Sequence, residues 1–217
     1  MHFGAIGDLH GDFESLDRVM RRHPEVAFWI CPGDLATDTG EYPTPVAPLY
    51  WIKGNNEDFD FVAGQPPGSG TIPNLCYIPN GVAVEVAGLR VAGLGGTFAP
   101  TWYEKPVAQL RRLTPQDDRR RHFVHAEVEA CKALAGVDVF LSHEAARPFP
   151  LERVKDAGKT PINEVLAGMR PRLHLFGHHH RYTVSERQHV PSIGLDLASD
   201  SYLLFDGSTL AHERLSP

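Results

Sequence analysis

The chain has 217 residues, of which 42% are hydrophobic and 22% are charged, and its formal net charge is −6. This balance is typical of a globular protein and excludes a disordered chain, which would combine fewer apolar residues with a higher net charge. The acidic excess argues against a protein built to grip long nucleic acids, because such proteins usually carry a basic excess. The length predicts a single domain over residues 1–217.

Short apolar runs that end in glycine or polar residues recur along the first part of the chain. His2–Ile6 predicts a strand, and Phe13–Arg22 predicts a helix because its apolar residues recur at helical spacing. Val26–Cys31 is continuously apolar, which favours a strand buried on both faces. A third strand is expected at 49–52, and the glycine- and proline-rich stretch 63–73 predicts a surface loop.

The rest of the chain continues this alternation of strands and helices. Segments 82–86 and Leu89–Leu94 flank an Ala-Gly pair and predict a hairpin. Residues 99–121 are polar and predict irregular structure, followed by a helix over 122–134. Further strands are expected at 137–141, Leu173–Phe176, 181–184, 192–197 and 202–205. The order of the elements predicts an α/β fold.

The spacing of the cysteines and the length of the apolar runs indicate the cellular compartment in which the protein is expected. Cys31, Cys76 and Cys131 are far apart and form no CxxC pair, so they indicate neither a zinc ribbon nor a disulfide framework. The first residues lack the features of a secretory signal, and no stretch reaches the ~18 to 20 apolar residues of a membrane span. We therefore expect a cytoplasmic protein with reduced thiols and no membrane partner.

Five predicted strands end in residues that can bind a metal. These ends are Asp8-Leu9-His10, Gly33-Asp34, Gly54-Asn55-Asn56-Glu57, Ser142-His143 and Gly177-His178-His179-His180. Functional groups cluster at the carboxyl ends of strands in open α/β sheets, so these distant segments are expected to meet at one edge. The mixture of carboxylate, imidazole and amide suits divalent manganese, iron, zinc, cobalt or nickel, and it lacks the thiolates of a structural zinc site.

The spacing within these motifs has a structural interpretation. In Asp8-x-His10 and His178-x-His180, two ligands that alternate along an extended segment would face the same side. The glycines before Asp34, Asn55 and His178 are expected to let the backbone turn sharply.

The order DxH, GD, GN, SH and GHxH, from Asp8 to His180, resembles that of the calcineurin-like metallophosphoesterases. The resemblance implies a four-layer α/β/β/α sandwich with a dinuclear metal centre. It implies Asp8, His10 and His180 as ligands of a first metal, Asn55, His143 and His178 as ligands of a second, and Asp34 as a bridge between both. Hydroxide held between the two cations would attack phosphorus in line with the leaving group. The expected cofactors are two divalent metal ions, with manganese or iron favoured over zinc, nickel or cobalt.

One position departs from the family pattern. Many members have histidine after the GN asparagine, whereas this chain has Asn56. A carboxamide cannot titrate, so general acid help, typically worth about 10²–10⁴-fold, is expected to be missing. The sequence therefore predicts a preference for phosphodiesters or activated phosphomonoesters. We expect Asn56 and Asp34 to be catalytic and Asn56 and His179 to bind substrate, and His179, Glu57 or Asp58 could replace the missing acid.

A closer resemblance within the superfamily is to the RNA lariat debranching branch, which hydrolyses a 2′–5′ phosphodiester. Segments 50–57, 72–75, 88–96 and 140–144 carry it. Members of that branch have histidine where Asn56 stands, and some have cysteine where Asp8 stands. A small phosphoester or nucleotide is the expected substrate, and a nucleic acid diester is the less favoured one. The sequence is also compatible with a non-catalytic scaffold that keeps the metal pocket, or with a single-metal hydrolase.

The segment 99–121 leaves two questions open. Its five arginines could bind phosphate, although two neighbouring aspartates favour a solvated, internally balanced segment. Trp102 and Tyr103 could stack on a base or pack beneath the loop. The charged residues in question are Arg111, Arg112, Asp117, Asp118, Arg119, Arg120 and Arg121.

Overall fold

The elements of the fold are taken from a computed structural model, which describes residues 1–114 and 117–217. Within these ranges the strands are β1 (His2–Ile6), β2 (Val26–Cys31), β3 (Leu49–Trp51), β4 (Leu75–Tyr77), β5 (Ala83–Val86), β6 (Leu89–Leu94), β7 (Thr97–Phe98), β8 (Arg112–Thr114), β9 (Asp117–Asp118), β10 (His122–Phe123), β11 (Val139–Ser142), β12 (Leu173–Phe176), β13 (Thr183–Arg187), β14 (Val190–Gly194), β15 (Tyr202–Asp206) and β16 (His212–Leu215). The α-helices are α1 (Phe13–Arg22), α2 (Phe59–Ala63), α3 (Pro100–Tyr103), α4 (His125–Lys132) and α5 (Thr160–Met169). None of the helices in this described part combines the length and the apolar composition that crossing a bilayer requires.

Two six-stranded sheets form the centre of the fold. The first has the order β16-β15-β1-β2-β3-β4, and the second has the order β13-β14-β12-β11-β6-β5. β1 to β4 run parallel to one another, and so do β6, β11, β12 and β14. Antiparallel pairing adds β15 and β16 beside β1 in the first sheet, and β13 and β5 at the two edges of the second. The carboxyl ends of the parallel strands of each sheet therefore lie along a common edge.

The main apolar core lies between the two sheets. Phe3 stacks between Phe28 and Phe205, with ring centroids 5.3 and 4.8 Å away. Ile6 belongs to the cluster on the other face of the same sheet, together with Trp29, as the alternation of side chains along a strand requires. Packing of both inner faces into one core fixes the sheets against each other and places their carboxyl edges side by side.

Helices cover the outer faces of both sheets. Leu16, Val19 and Met20 of α1 pack in the same cluster as Trp29. α4 and α5 contribute the corresponding cluster on the second sheet. The layers are helix, sheet, sheet and helix, which confirms the predicted α/β fold and its four-layer α/β/β/α sandwich.

Most predicted elements are present. β1, α1, β2, β6 and β12 have the predicted bounds, the β5–β6 hairpin forms, and the bounds of the other predicted strands differ by one to three residues. The helix expected over 122–134 is shorter, because residues 122 and 123 pair with β7 and α4 begins at His125. The expectation for 63–73 is off at its first residue, because Ala63 ends α2.

Other elements were not predicted. The sequence pattern did not reveal α5, in which proline occupies the first turn, a position that helices tolerate. Nor did it reveal α2, β4 and β16, which have five, three and four residues and too little periodicity to recognise. The segment 99–121, expected to be irregular, contains α3, β8, β9 and two 3₁₀ turns, while its positions 115 and 116 lie outside the described residues.

Candidate metal centre

The loops that follow five strands meet at one edge of the two sheets. Three of them follow β1, β2 and β3 of the first sheet, and two follow β11 and β12 of the second. They assemble two groups whose candidate ligand atoms lie within 4.8 Å of one another: Asp8, His10 and His180 in one, and Asp34, His143 and His178 in the other. Asn55 lies beside the second group, with its Oδ1 3.0 Å from Nε2 of His143. The structure thus brings together all seven side chains expected to bind metal.

The Asp34 carboxylate lies between the two groups. Its Oδ2 is 3.7 Å from Nε2 of His10 in the first group. Its Oδ1 is 3.6 Å from Nε2 of His143 in the second. One oxygen therefore faces each group, as a bridging ligand requires.

The first group contains a buried oxygen that lacks a hydrogen-bond partner. Nε2 of His180 lies 3.2 Å from Oδ2 of Asp8 and 3.1 Å from Nε2 of His10. The Asp8 side chain is buried, and within residues 1–114 and 117–217 nothing hydrogen-bonds to its Oδ1. An unpartnered buried carboxylate oxygen is costly. A divalent cation would satisfy it, so the donor set fits a metal.

The second group also contains acceptor atoms that a cation would satisfy. Nδ1 of His143 lies 2.8 Å from the carbonyl oxygen of Pro32, which can only accept, so Nδ1 carries the proton. Nε2 then points at the Asn55 oxygen, and a neutral imidazole would place two acceptors against each other. Burial lowers the pKa of His143, but the carboxylates of Asp34, Asp8 and Glu57 and the hydrogen bond to Pro32 together raise that pKa overall. A cation between the two acceptors resolves the conflict.

Four of the candidate ligands have a left-handed backbone. Their φ angles are 46° at His10, 55° at Asp34, 66° at His178 and 48° at His180. Such φ values are rare outside glycine, and strain of this kind costs on the order of 1–3 kcal/mol per residue and concentrates at functional sites. The amides of Leu9 and His10 hold the first loop by donating to the Asp34 carbonyl, at 3.0 and 2.8 Å. The prediction that the ligand pairs alternate along extended segments is therefore wrong, because His10, His178 and His180 have positive φ.

The glycines before the ligands have two different roles. Gly33 has a φ of 113°, which confirms the predicted sharp turn. Gly54 and Gly177 do not have positive φ, so the same explanation is wrong for them. A β-carbon on Gly54 would overlap the carboxylate of Asp34, and one on Gly177 would overlap that of Asp8. These two glycines are required by the close approach of a carboxylate to the backbone.

We expect a Gly54→Ala substitution to weaken Mn²⁺ binding at least about 10-fold, since supporting contacts of metal ligands are typically worth 10–100-fold in affinity. The new methyl group would displace Asp34, and isothermal titration with Mn²⁺ measures the loss. Gly64→Ala is the matched control, because its β-carbon would approach Phe61 at an ordinary 3.5 Å. Equal Mn²⁺ affinity in both variants would contradict the expectation.

Asn56 is bound to the Asp34 carboxylate. Its backbone amide donates to Oδ1 at 2.8 Å, and its side-chain Nδ2 donates to Oδ2 at 3.0 Å. The residue is otherwise exposed. Asn56 therefore orients the carboxylate that lies between the two groups, in addition to bordering the space where a substrate would lie.

Glu57 and Asp58 have structural partners. Oε1 of Glu57 accepts from the amides of Leu35 and Gly54, both at 3.2 Å, and Oε2 accepts from the Tyr42 hydroxyl at 2.9 Å. Burial, with a contribution from Asp34, raises the pKa of Glu57 to about 7. Asp58 caps α2 through its Oδ1. Glu57 thus ties two ligand loops together, and these contacts do not favour either residue as the general acid.

Comparison with known proteins places this site in a family. A model of the calcineurin-like phosphoesterases matches residues 1–182. The chain belongs to this family. Its members are metal-dependent hydrolases of phosphoesters. The ligand order from Asp8 to His180 falls within the matched residues.

Individual relatives add detail about the family relationship. The lariat debranching enzyme of Schizosaccharomyces pombe is 25% identical over 162 residues, which cover 65% of this chain but only 34% of that enzyme. An uncharacterized protein of Haemophilus influenzae is 25% identical over 228 residues, covering 91% of this chain and 94% of that protein. The crystal structure of TT1561 from Thermus thermophilus superposes with a TM-score of 0.68 at 14% identity, over 99% of this chain and 98% of that one. This last likeness establishes a shared fold.

Sequence reasoning missed one carboxylate at the phosphoesterase site. Glu144 is buried, and its Oε2 accepts from the amide of Phe98 at 2.6 Å. Its Oε1 lies 3.4 Å from Nζ of Lys159 and 4.0 Å from Nε2 of His178. A carboxylate behind a metal-binding imidazole commonly orients the ring. The signal in the sequence was its place directly after His143.

His179 belongs to neither ligand group of the phosphoesterase site, although its ring lies beside that of His178 with centroids 4.9 Å apart. Its ring stacks on Phe149 with centroids 4.7 Å apart. Burial lowers the pKa of His179 to about 4, and its Nε2 is buried without a hydrogen-bond partner among the described residues. Substrate binding by His179 stays a prediction, and its contacts favour a packing role.

Most of the arginine-rich segment beside the phosphoesterase site is internally paired. Arg119 donates to Asp117 at 2.5 Å and lies over the Trp102 ring at 5.2 Å. Arg120 binds Asp118 through several bonds and also contacts Asp60. Tyr103 packs beside the core cluster on the second sheet. These contacts favour the balanced segment over a stacking platform for bases.

Proposed function

We propose that this chain is a dinuclear metal-dependent phosphoesterase that hydrolyses phosphodiesters or activated phosphomonoesters. Membership of the calcineurin-like phosphoesterases supports the reaction class. The observation that carries the dinuclear centre is the position of Asp34, whose two oxygens face different ligand groups at 3.7 and 3.6 Å.

In this proposal the seven ligands divide between two cations. Asp8, His10 and His180 hold the first, Asn55, His143 and His178 hold the second, and Asp34 contributes to both. The nitrogen and oxygen donors favour divalent manganese or iron, and they also suit zinc, nickel or cobalt. When bound, two such cations polarise a phosphoryl oxygen and lower the pKa of water.

The protein's own contribution is positioning. Asn56 holds both oxygens of Asp34, and the Pro32 carbonyl fixes the His143 tautomer. The exposed Asn56 stands where many family members have histidine, and its carboxamide donates hydrogen bonds without transferring a proton. Substrates whose leaving group needs little protonation are therefore preferred.

The test is hydrolysis of bis(p-nitrophenyl) phosphate by the purified chain with Mn²⁺, together with metal analysis. We expect turnover that EDTA abolishes and Mn²⁺ restores, with two metal ions per chain. Turnover with one ion per chain would contradict the dinuclear centre and would indicate a single-metal hydrolase. No turnover at any pH, despite bound metal, would contradict the proposed enzymatic activity and favour a metal-binding scaffold.

A second candidate is a nucleic acid phosphodiesterase of the debranching type. The match to the Schizosaccharomyces pombe lariat debranching enzyme supports it, although that match spans 34% of the enzyme. A short RNA with one 2′–5′ linkage, compared with its 3′–5′ isomer, separates the two candidates. Selective cleavage of the 2′–5′ linkage would favour debranching, and equal cleavage would favour the broader diesterase.

A further inference from the structure

A polar groove adjoins the proposed metal centre at Asn55 and Asn56. It is lined by residues 37–40, which follow β2, and by residues 55–59. Arg112 and Arg121 of the arginine-rich segment also line it. The groove thus connects the site of hydrolysis to two cationic side chains.

We propose that this groove binds a second phosphate of the substrate, one that is not hydrolysed, through Arg112 and Arg121. The substrate class is then a short phosphodiester with an additional phosphate group, such as a 5′-phosphorylated dinucleotide. The proposal rests on the proposed function, because the diester must lie at the metal centre for its second phosphate to reach these arginines.

The arginines of the segment differ in what they already bind. The side chain of Arg112 is 48% exposed, and its hydrogen bonding within the described ranges uses Nε alone, toward Asp118 at 3.3 Å. Its Nη1 lies 3.9 Å from Asp60, beyond hydrogen-bond distance. Arginine has five N–H donors in a planar fork that matches phosphate oxygens. Arg112 therefore keeps N–H donors without a hydrogen-bond partner among the described residues.

Arg121 is fixed at the groove through its guanidinium group. Its Nε donates to the carbonyl oxygen of Asp118 at 2.8 Å. Arg112 is fixed to the carboxylate of the same residue, so Asp118 anchors both arginines at the groove. Arg120, by contrast, faces Asp60 and the Phe59 carbonyl and does not line the groove.

Acidic residues in the groove limit the size of the anion. Glu57 is engaged by three internal donors, Asp58 caps α2, and Asp118 is paired with arginine. Asp38 also lines the groove and is exposed. The arginines therefore suit a phosphate, whereas Asp38 suits hydroxyl donors, as in a sugar. A long polyanion would meet the exposed carboxylate, which favours a short ligand.

The groove gives no stacking platform for a base among the residues that the structure describes. Its aromatic residue, Phe59, is the first residue of α2 and is only 4% exposed. Recognition is therefore expected to depend on the phosphate and the sugar, with little preference among bases.

The kinetic test compares the 5′-phosphorylated dinucleotide pTpT with TpT in the presence of Mn²⁺. We expect Arg112→Gln and Arg121→Gln each to raise KM for pTpT about 10-fold, the scale of a charge-assisted hydrogen bond, while kcat changes less than about twofold. Both variants should leave TpT and bis(p-nitrophenyl) phosphate kinetics unchanged. Arg111→Gln is the matched control, because Arg111 is exposed and does not line the groove. Equal effects on pTpT and TpT, or no effect on either, would overturn the proposal.

A binding measurement separates this proposal from the proposed function. Isothermal titration with thymidine 3′,5′-bisphosphate and with thymidine 3′-monophosphate needs no hydrolysis. Wild type should bind the bisphosphate about 10-fold more tightly, and Arg112→Gln should bind both alike. Arg112→Lys should restore part of the difference in affinity. No such restoration is expected if the Arg112→Gln variant loses its selectivity through a folding defect. If wild type binds both ligands alike, the proposed phosphate site in the groove is wrong. If wild type selects the bisphosphate but shows no turnover, only the proposed enzymatic function is wrong.

Discussion

Replacing Asp34 by asparagine is expected to lower the rate of bis(p-nitrophenyl) phosphate hydrolysis by at least about 10²-fold, the scale on which removal of one electrostatic stabiliser acts. The carboxylate is buried and offers one oxygen to each ligand group. A carboxamide has one oxygen and turns an NH₂ group toward either His10 or His143. We therefore also expect the metal content to fall from two ions per chain to one or fewer, as measured by elemental analysis after gel filtration.

Asp12→Asn is the matched control for Asp34→Asn. Asp12 is an acidic residue two positions after His10, but it caps α1 by accepting from the amide of Ser15 at 3.1 Å. Asparagine caps helices about as well as aspartate, so metal content and rate should be unchanged. An Asp34→Asn protein that keeps two metal ions and near wild-type turnover would remove Asp34 from its bridging position.

The placement of the ligands was predictable because it follows from topology. Parallel strands end at one edge, so the residues after β1, β2, β3, β11 and β12 must converge once the two sheets pack face to face. The carboxylate, imidazole and amide side chains at those strand ends are groups that can bind a metal. The sequence order alone was therefore enough to name Asp8, Asp34 and His143 as neighbours in space.

The backbone of the ligand loops was not predictable in the same way. Spacing suggested extended segments, yet His10, His178 and His180 have positive φ. The conformation is set by partners distant in sequence, such as the Asp34 carbonyl that receives the His10 amide. Gly33, with a φ of 113°, is a position where the residue type did indicate the turn.

The ion pairs between residues distant in the chain could not be predicted from the sequence either. Arg120 and Asp60 are sixty residues apart in the chain, and their contact removes Arg120 from the set of arginines that could bind a ligand. Glu144 lies near His178, where the amide of Phe98 and the ammonium group of Lys159 hold its carboxylate. The functional difference between neighbouring arginines therefore comes from packing, not from composition.

The Asn56→His variant is expected to gain at least about 10-fold in rate on an alkyl phosphomonoester such as glycerol 2-phosphate, because general acid catalysis typically contributes 10²–10⁴-fold. Part of that gain is offset, since the Nδ2 bond to Asp34 at 3.0 Å is lost, while the backbone bond at 2.8 Å can stay. Hydrolysis of bis(p-nitrophenyl) phosphate should change little, because p-nitrophenolate leaves without protonation.

The pH profile and a second variant distinguish an added acid from a rearranged loop. The acid acts in its protonated form, so the gain should be largest below the histidine pKa, about 6.5 when unperturbed, and should decline as the pH rises above it. Asn56→Ala loses the same Nδ2 bond without supplying a proton donor, so it should show no gain at any pH. If wild type already hydrolyses the alkyl ester as fast as the diester, and Asn56→His adds nothing, then Asn56 does not set the substrate preference. Its contact with Asp34 would then be its whole contribution to the site.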